Sequence, residues 1–189
     1  MHVVPYSSGC GGIVSGIQLA SITSDQLIDL RLAFSTYGVL FFRDQNLSPK
    51  QHLEFAQRYG KIVINKFFKT IEHHPQIAEV RKEKTQQTNI GGGWHSDHSY
   101  DEIPAMGSIL VARTLPKTGG DTQFANLYAA YDALTDVLVG EAYPHVRAAD
   151  GGRLANYVMT MDCLMSVDEV TGDPRQLQLL PLHPVALAT

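Results

Sequence analysis

The sequence has few cysteines, little charge and no long hydrophobic run. Its two cysteines, Cys10 and Cys163, are too few for a disulfide framework or a four-thiolate zinc site. No apolar stretch approaches the roughly 18–20 residues that span a bilayer, and the N-terminus lacks the pattern of a signal peptide. The net charge of −4 argues against a surface that neutralises nucleic-acid phosphates. These absences predict a reduced, cytoplasmic protein without membrane or nucleic-acid partners.

The length and composition predict one domain. A chain of 189 residues of which 44% are hydrophobic is long enough for a single sizeable core and too short for two full domains. We therefore expect residues 1–189 to form one domain.

The first half of the chain contains clear helix signals. Thr23 precedes apolar residues at helical spacing, and Gly38 follows them, which predicts a helix between these two positions. Ser48 and Pro49 predict the start of a second helix, with Gly60 at its end.

Strand predictions follow from short apolar runs between turn signals. They cover residues 39–42, 62–64, 77–80, 106–112 and 122–125, with a loop at 83–93, a turn at 115–121 and a helix cap at Asn126. Beyond about residue 136 the pattern weakens, and residues 153–165 are compatible with a helix.

A His-x-Asp pair, His95 and Asp97, is the strongest chemical signal. On an extended segment two residues at this spacing project to the same face. An imidazole and a carboxylate can then share one cation, as in the two-histidine-one-carboxylate sites of non-haem Fe(II) proteins. The alternative is a surface histidine hydrogen-bonded to a neighbouring aspartate. Trp94 could form a wall of the site or simply pack in the core.

Three segments that follow one another along the chain make the His-x-Asp pair a more specific indication of function. They are Trp94-His95-Ser96-Asp97, the proline-to-leucine run at 104–110, and the Leu-Pro-Lys-Thr-Gly-Gly-Asp-Thr run at 115–122. Together with residues 38–45, they resemble the TauD/TfdA (taurine dioxygenase) family of Fe(II)- and 2-oxoglutarate-dependent dioxygenases. The resemblance covers residues 10–136 and leaves residues 137–189 divergent or truncated.

The resemblance implies a fold, a chemistry and roles for three residues. The fold is α+β, a double-stranded β-helix (jelly-roll, cupin-like) with flanking helices. His95 and Asp97 match two iron ligands, and Thr122 matches the threonine that hydrogen-bonds 2-oxoglutarate. With Fe(II), 2-oxoglutarate and O2, such enzymes hydroxylate a small substrate and release succinate and CO2.

The resemblance also implies candidates for substrate binding. Asn65 and Lys66 follow the predicted strand at 62–64, where family members place substrate-contacting residues, and Asn89 lies in the loop before Trp94. Lys66 suits an anionic head group, although a solvated lysine is the simpler interpretation. A small anionic organic substrate is the resulting expectation.

The sequence departs from the family pattern near its end. The distal histidine ligand and the arginine that pairs with 2-oxoglutarate are not visible, and His145 and His183 are the remaining histidines after the turn. We expect a member whose C-terminal strands are missing, inactive or feebly active alone, with exposed sheet edges that favour homo-oligomers.

Two other functions remain open from the sequence. One is a degenerate, non-catalytic binding or subunit module on the same fold, which the missing histidine and arginine would suit. The other is a non-oxygenase metal cupin, against which the lack of a His-x-His pair counts. Iron-dependent release of succinate separates both from the oxygenase.

Overall fold

The computed structural model describes residues 1–88, 90–95, 105–127 and 129, and the backbone of three later strands. Within these residues lie α1 (Ser24–Tyr37), α2 (Pro49–Tyr59) and a 3-10 turn (Leu19–Ser21). The strands are β1 (His2–Pro5), β2 (Gly12–Ser15), β3 (Leu40–Phe42), β4 (Thr70–Ile71), β5 (His74–Val80), β6 (Ser108–Ala112), β7 (Thr122–Asn126), β8 (Val158–Asp162), β9 (Leu179–Leu180) and β10 (His183–Ala188).

Both helices begin and end where the sequence predicts. The Thr23 hydroxyl accepts a hydrogen bond from the Gln26 amide at 3.2 Å, and the Gln26 side-chain oxygen accepts one from the Thr23 amide at 3.0 Å. Ser48 forms the same capping box at α2. A cap of this kind contributes about 1 kcal/mol. Gly38, in a left-handed conformation with φ 71°, ends α1 and donates its amide to the Phe34 carbonyl.

The described strands form three sheets, two of which contain both parallel and antiparallel pairs, so the fold is α+β. The first sheet has the order β1-β2-β3-β9, with β2 and β3 parallel. The second has the order β4-β5-β10-β6, in which β10 runs parallel to both of its neighbours. The third pairs β7 with β8 antiparallel.

The hydrophobic core lies between the two helices and the first two sheets. Each helix contributes the buried side chains of one face, and β3, β5 and β6 contribute alternate residues. The buried set includes Leu30, Phe34, Leu40, Phe42, Phe55, Ile77, Ile109 and Val111. Among the described residues, none of the helices is long and apolar enough to cross a membrane.

Arginine side chains join the ends of the two helices. The Arg31 guanidinium donates to the carbonyl oxygens of Arg58 at 2.8 Å and Tyr59 at 2.9 Å. It also lies 5.3 Å from the centre of the Tyr59 ring. Arg58 in turn donates to the Ile22 carbonyl, ahead of α1. The two bonds from Arg31 satisfy carbonyls that the last turn of α2 leaves without partners within the helix.

Most strand predictions are confirmed, but two segment predictions are wrong. Residues 62–64 are irregular rather than a strand, because Val63 and Ile64 pair with no strand among the described residues and remain exposed. Residues 158–162, which lie in the segment 153–165 that is compatible with a helix from its sequence, form β8 instead and pair with β7 along its full length. Pairing with a partner strand outweighs local helix propensity there.

Candidate metal and co-substrate site

The backbone sets the ring orientation of His95. Its Nδ1 atom lies 2.8 Å from the carbonyl oxygen of Gly93. A carbonyl oxygen can only accept a hydrogen bond, so Nδ1 carries the proton and the lone pair of the neutral ring lies on Nε2. Histidines that bind metals usually have their second ring nitrogen held in this way. The half-buried imidazole is therefore of a type that fits a metal ion.

The glycine run before His95 shapes the approach to it. Gly91 has a left-handed conformation with φ 69°, which turns the chain at little cost only for glycine. A side chain at Gly93 would meet no atom within 4 Å, so the space beside the bonded carbonyl is open. Trp94 is 47% exposed, so the core-packing alternative for this side chain is wrong, and it can form a wall of the site.

Thr122 begins β7 after a turn of two left-handed glycines, Gly119 with φ 71° and Gly120 with φ 77°. The side chain of Thr122 is half-buried, and its backbone pairs with Asp162 of β8. The turn and the strand together fix the position of the hydroxyl, which can donate to a carboxylate oxygen.

Contacts with the N-terminal segment hold β7 in place. The Asn126 amide donates to the Gly9 carbonyl at 2.9 Å, and the Phe124 ring lies 6.2 Å from the Phe41 ring. Thr122, Phe124 and Asn126 alternate along β7 and so share one face. Asn126 also accepts from the Ala129 amide at 3.2 Å, as expected of a helix cap.

The structure describes two of the three substrate-binding candidates. The Asn65 side-chain oxygen accepts from the amides of Phe67 at 2.8 Å and Phe68 at 3.3 Å, so it stabilises a local turn. The side-chain NH2 group of Asn65 is then the part of this side chain that could contact a ligand. Lys66 is exposed, which agrees with the simpler interpretation of this residue as a solvated lysine.

Several candidates lie outside the described residues. They are the iron ligand candidate Asp97, the substrate candidate Asn89, and His145. His183 begins β10, where its backbone pairs with Ser108. Within the part of the chain that the structure describes, no group of three His, Cys, Asp or Glu side chains could hold a metal ion. His95 is thus the described member of the His-x-Asp pair.

Sequence patterns did not point to the Gly93 carbonyl, although it orients the candidate ligand. The available signal was the glycine run itself, which indicates close backbone approach without naming a hydrogen bond. The half-buried thiol of Cys10 is free, as expected, and burial raises its pKa. Such a thiol is a poor nucleophile.

The chain is similar to proteins of known activity. The family model described as taurine catabolism dioxygenase TauD, TfdA family matches residues 4–142. A (S)-phenoxypropionate/alpha-ketoglutarate-dioxygenase of Sphingobium herbicidovorans is 31% identical over 139 residues, covering 72% of this chain and 48% of the relative. An alkylsulfatase of Acinetobacter baylyi is 32% identical over 130 residues, covering 68% of this chain and 40% of the relative.

The chain is also similar to a protein of known structure. The crystal structure of AAD-2 in complex with Mn(II) and N-oxalylglycine has 30% sequence identity and a TM-score of 0.58, covering 75% of this chain and 49% of that protein. The chain spans about half the length of the curated relatives it matches.

Proposed function

Because this chain belongs to the taurine catabolism dioxygenase TauD/TfdA family, we propose that it is a 2-oxoglutarate-dependent dioxygenase that hydroxylates a small anionic organic molecule. The observation that carries the proposal is the ring of His95, whose Nδ1 is bonded to the Gly93 carbonyl. That bond leaves the lone pair of the neutral ring on Nε2, as a metal ligand requires. The matched family segment includes this residue.

His95 and Asp97 are the proposed protein ligands of ferrous iron. The two residue types fit this metal, since imidazole and carboxylate form facial triads that leave positions for other ligands. When bound, Fe(II), 2-oxoglutarate and O2 supply the oxidant for C–H hydroxylation, with succinate and CO2 as co-products. A facial triad needs a third ligand, for which His145 and His183 are the candidates on this chain.

Thr122 is the proposed contact to 2-oxoglutarate. Its hydroxyl would donate to a carboxylate oxygen, and the glycine turn before it allows the co-substrate close to the backbone. We further propose that the sheets belong to a jelly-roll of the kind its family implies, with α1 and α2 outside it. The similarity to the solved structure of AAD-2, with a TM-score of 0.58, supports this arrangement.

The proposed substrate is a small organic anion. The names of the two relatives above refer to a phenoxypropionate and an alkyl sulfate, both of which are anionic. Lys66 would attract the negative charge, and the side-chain NH2 of Asn65 and the amide of Asn89 would donate hydrogen bonds to it.

Iron binding and succinate release test the proposal. We expect the purified chain to bind Fe(II) in anaerobic equilibrium dialysis and, in keeping with the expected loss of its C-terminal strands, to form succinate from 2-oxoglutarate only slowly when an anionic substrate is present. His95→Ala and Asp97→Ala should each weaken iron binding by at least about tenfold, because each removes a metal ligand. The matched control is His2→Ala, which removes an exposed histidine from β1 and should bind iron as the wild type does.

Two results would contradict the oxygenase in different ways. Unchanged iron affinity in His95→Ala would remove the metal site from this position. Normal iron binding without succinate from any anionic substrate would favour the non-catalytic binding module.

A further inference from the structure

A cleft of about 520 Å³ lies at the carboxyl ends of the two neighbouring parallel strands β2 and β3. Residues 15–18, at the end of β2 and after it, form one wall, and residues 43–45, directly after β3, form another. Binding sites for small molecules have volumes of roughly 300–1,000 Å³, and loops that leave the carboxyl ends of parallel strands commonly form them. The size and position of this cleft therefore suit a small-molecule ligand.

The Gln45 side chain ties the two walls together. Its amide nitrogen donates to the carbonyl oxygens of Ile17 at 3.3 Å and Arg43 at 2.8 Å, and its oxygen accepts from the Leu19 amide at 2.9 Å. Val14 and Ile17, which also line the cleft, are buried. The cleft is therefore shaped before any ligand arrives, which lowers the entropy cost of binding.

Arg43 and Asp44 contribute two opposite charges to the same cleft. Asp44 has a left-handed conformation with φ 55°, so the chain leaves the strand geometry that directs successive side chains to opposite faces. The ion pairs among the described residues involve Lys50, His73 and Arg81, and neither Arg43 nor Asp44 takes part in one. Both charged groups are therefore available to charged groups of a ligand.

Polar side chains in the cleft can hydrogen-bond the uncharged part of a ligand. The side-chain oxygen of Gln26 accepts from the Thr23 amide at 3.0 Å, which leaves the NH2 group of Gln26 as a donor. Gln18 and Ser21 add a second amide and a hydroxyl to the lining. These groups favour a ligand whose body is itself polar.

We propose that this cleft binds a free α-amino acid with a neutral polar side chain. The Arg43 guanidinium pairs with the α-carboxylate, the planar partner that its fork of donors matches. The Asp44 carboxylate pairs with the α-ammonium group, and the amides and hydroxyl of the lining hydrogen-bond the side chain. A ligand with a single charge leaves either Arg43 or Asp44 without its partner.

The cleft is distinct from the proposed metal and co-substrate site. It lies beyond the carboxyl end of β2, whereas β7 contacts the chain ahead of the amino end of β2, through the bond from Asn126 to Gly9. The described residues that line the cleft include neither His95 nor Thr122. Amino-acid binding there is therefore a property beyond the proposed oxygenase activity, and it needs neither iron nor 2-oxoglutarate.

Three probes separate the contributions of the two ligand charges. L-Glutamine carries both charges, glutaramate lacks the ammonium group, and γ-aminobutyramide lacks the carboxylate. In NMR titrations of the isotope-labelled, metal-free chain, γ-aminobutyramide should bind about tenfold more weakly than L-glutamine, because it loses the hydrogen bonds to half-buried Arg43. Glutaramate should bind about threefold more weakly, because Asp44 is exposed. L-Glutamine should shift the backbone amides of residues 15–18 and 43–45 most.

Two variants test the assignment of each charge to its partner. Arg43→Gln should weaken L-glutamine binding about tenfold and should then bind L-glutamine and γ-aminobutyramide alike, because the carboxylate has lost its partner. Asp44→Asn should weaken L-glutamine binding about threefold and should then bind L-glutamine and glutaramate alike. Asparagine tolerates the left-handed conformation as aspartate does, so the second variant keeps the backbone of the cleft.

The matched controls remove the same charges outside the cleft. They are Arg81→Gln, at an exposed arginine after β5, and Asp29→Asn, at an exposed aspartate on α1. Both should bind L-glutamine within about twofold of the wild type, because contacts beyond a Debye length of about 10 Å are largely screened.

Three results would overturn the proposal. The first is that glutaramate or γ-aminobutyramide binds as tightly as L-glutamine, which would reduce the cleft to a site for a single charge. The second is that Arg43→Gln and Asp44→Asn bind as the controls do. The third is that L-glutamine shifts amides elsewhere in the chain and leaves those of residues 15–18 and 43–45 unchanged.

Discussion

His52 gives the sharpest prediction about the stability of this fold. The side chain lies on α2 and is 1% exposed. Among the described residues, neither ring nitrogen has a hydrogen-bond partner of ordinary geometry. Burial, together with the positive charge of Arg113, lowers the pKa of His52 from 6.5 to about 4, and the backbone of Ile109 offsets only part of this effect. The fold therefore holds a neutral imidazole that resists protonation.

The lowered pKa makes stability depend on pH in a definite direction. Between about pH 6.5 and pH 4 the unfolded chain protonates His52 while the folded chain keeps it neutral, so acid favours unfolding. Each unit of pKa difference is worth about 1.4 kcal/mol. The difference between 6.5 and about 4 corresponds to a loss of about 3 kcal/mol by pH 4. For a chain of this size that is roughly 6–12 °C in Tm.

His52→Leu isolates this contribution, since leucine has similar volume and does not titrate. Urea unfolding followed by circular dichroism, at several pH values from 7 to 4, should show the wild type losing about 3 kcal/mol more than the variant. At pH 7 the variant should be at least as stable, because it removes two buried nitrogens that have no hydrogen bond of ordinary geometry among the described residues. His2→Leu, an exposed control on β1, should keep the wild-type profile. Parallel pH profiles for the wild type and His52→Leu would refute the argument.

Two further substitutions test the packing of the N-terminal half. Gly11→Ala should destabilise the fold by about 2 kcal/mol or more in the same urea assay, because Gly11 has φ 95° and an added Cβ would lie 2.8 Å from Cε2 of Phe41. The control is Gly9→Ala, whose Cβ would meet nothing closer than 4.0 Å and which should be nearly neutral. Equal losses of stability in the two variants would contradict the argument from the close contact at Gly11. Arg31→Met should cost about 1–2 kcal/mol by removing two charged hydrogen bonds to the end of α2, and an unchanged Tm would show that solvent replaces them.

Local chemistry explains why the helices were predictable. Thr23 and Ser48 satisfy amides within three residues of themselves, and Gly38 ends α1 through its own backbone conformation. Each of these interactions depends on neighbours in the sequence alone. The pattern of residues was therefore sufficient to predict both helices and their ends.

Strands that depend on distant partners were not predictable in the same way. The glycine-rich residues at the start of the chain give no sequence signal for the strands β1 and β2. These strands form because β2 pairs with β1 on one side and with β3, some 28 residues later, on the other. Residues 62–64 have the apolar character of a strand but no partner strand in the described part of the chain, whereas residues 158–162 pair with β7. Apolar composition suggests a strand, and only the availability of a neighbour decides whether it forms.

In the candidate site, too, one residue is positioned by its sequence neighbours and another by distant parts of the chain. The orientation of the His95 ring depends on the Gly93 carbonyl, two residues away. It is therefore set by residues that are adjacent in the sequence. The position of Thr122 depends on its strand, which is held through Phe124 and Asn126 by residues more than 80 positions earlier in the chain. A substitution in the N-terminal segment that loosens β7 should therefore disturb the proposed 2-oxoglutarate contact while leaving the histidine geometry unchanged. The metal ligand and the co-substrate contact are, in this fold, separately positioned parts of one proposed site.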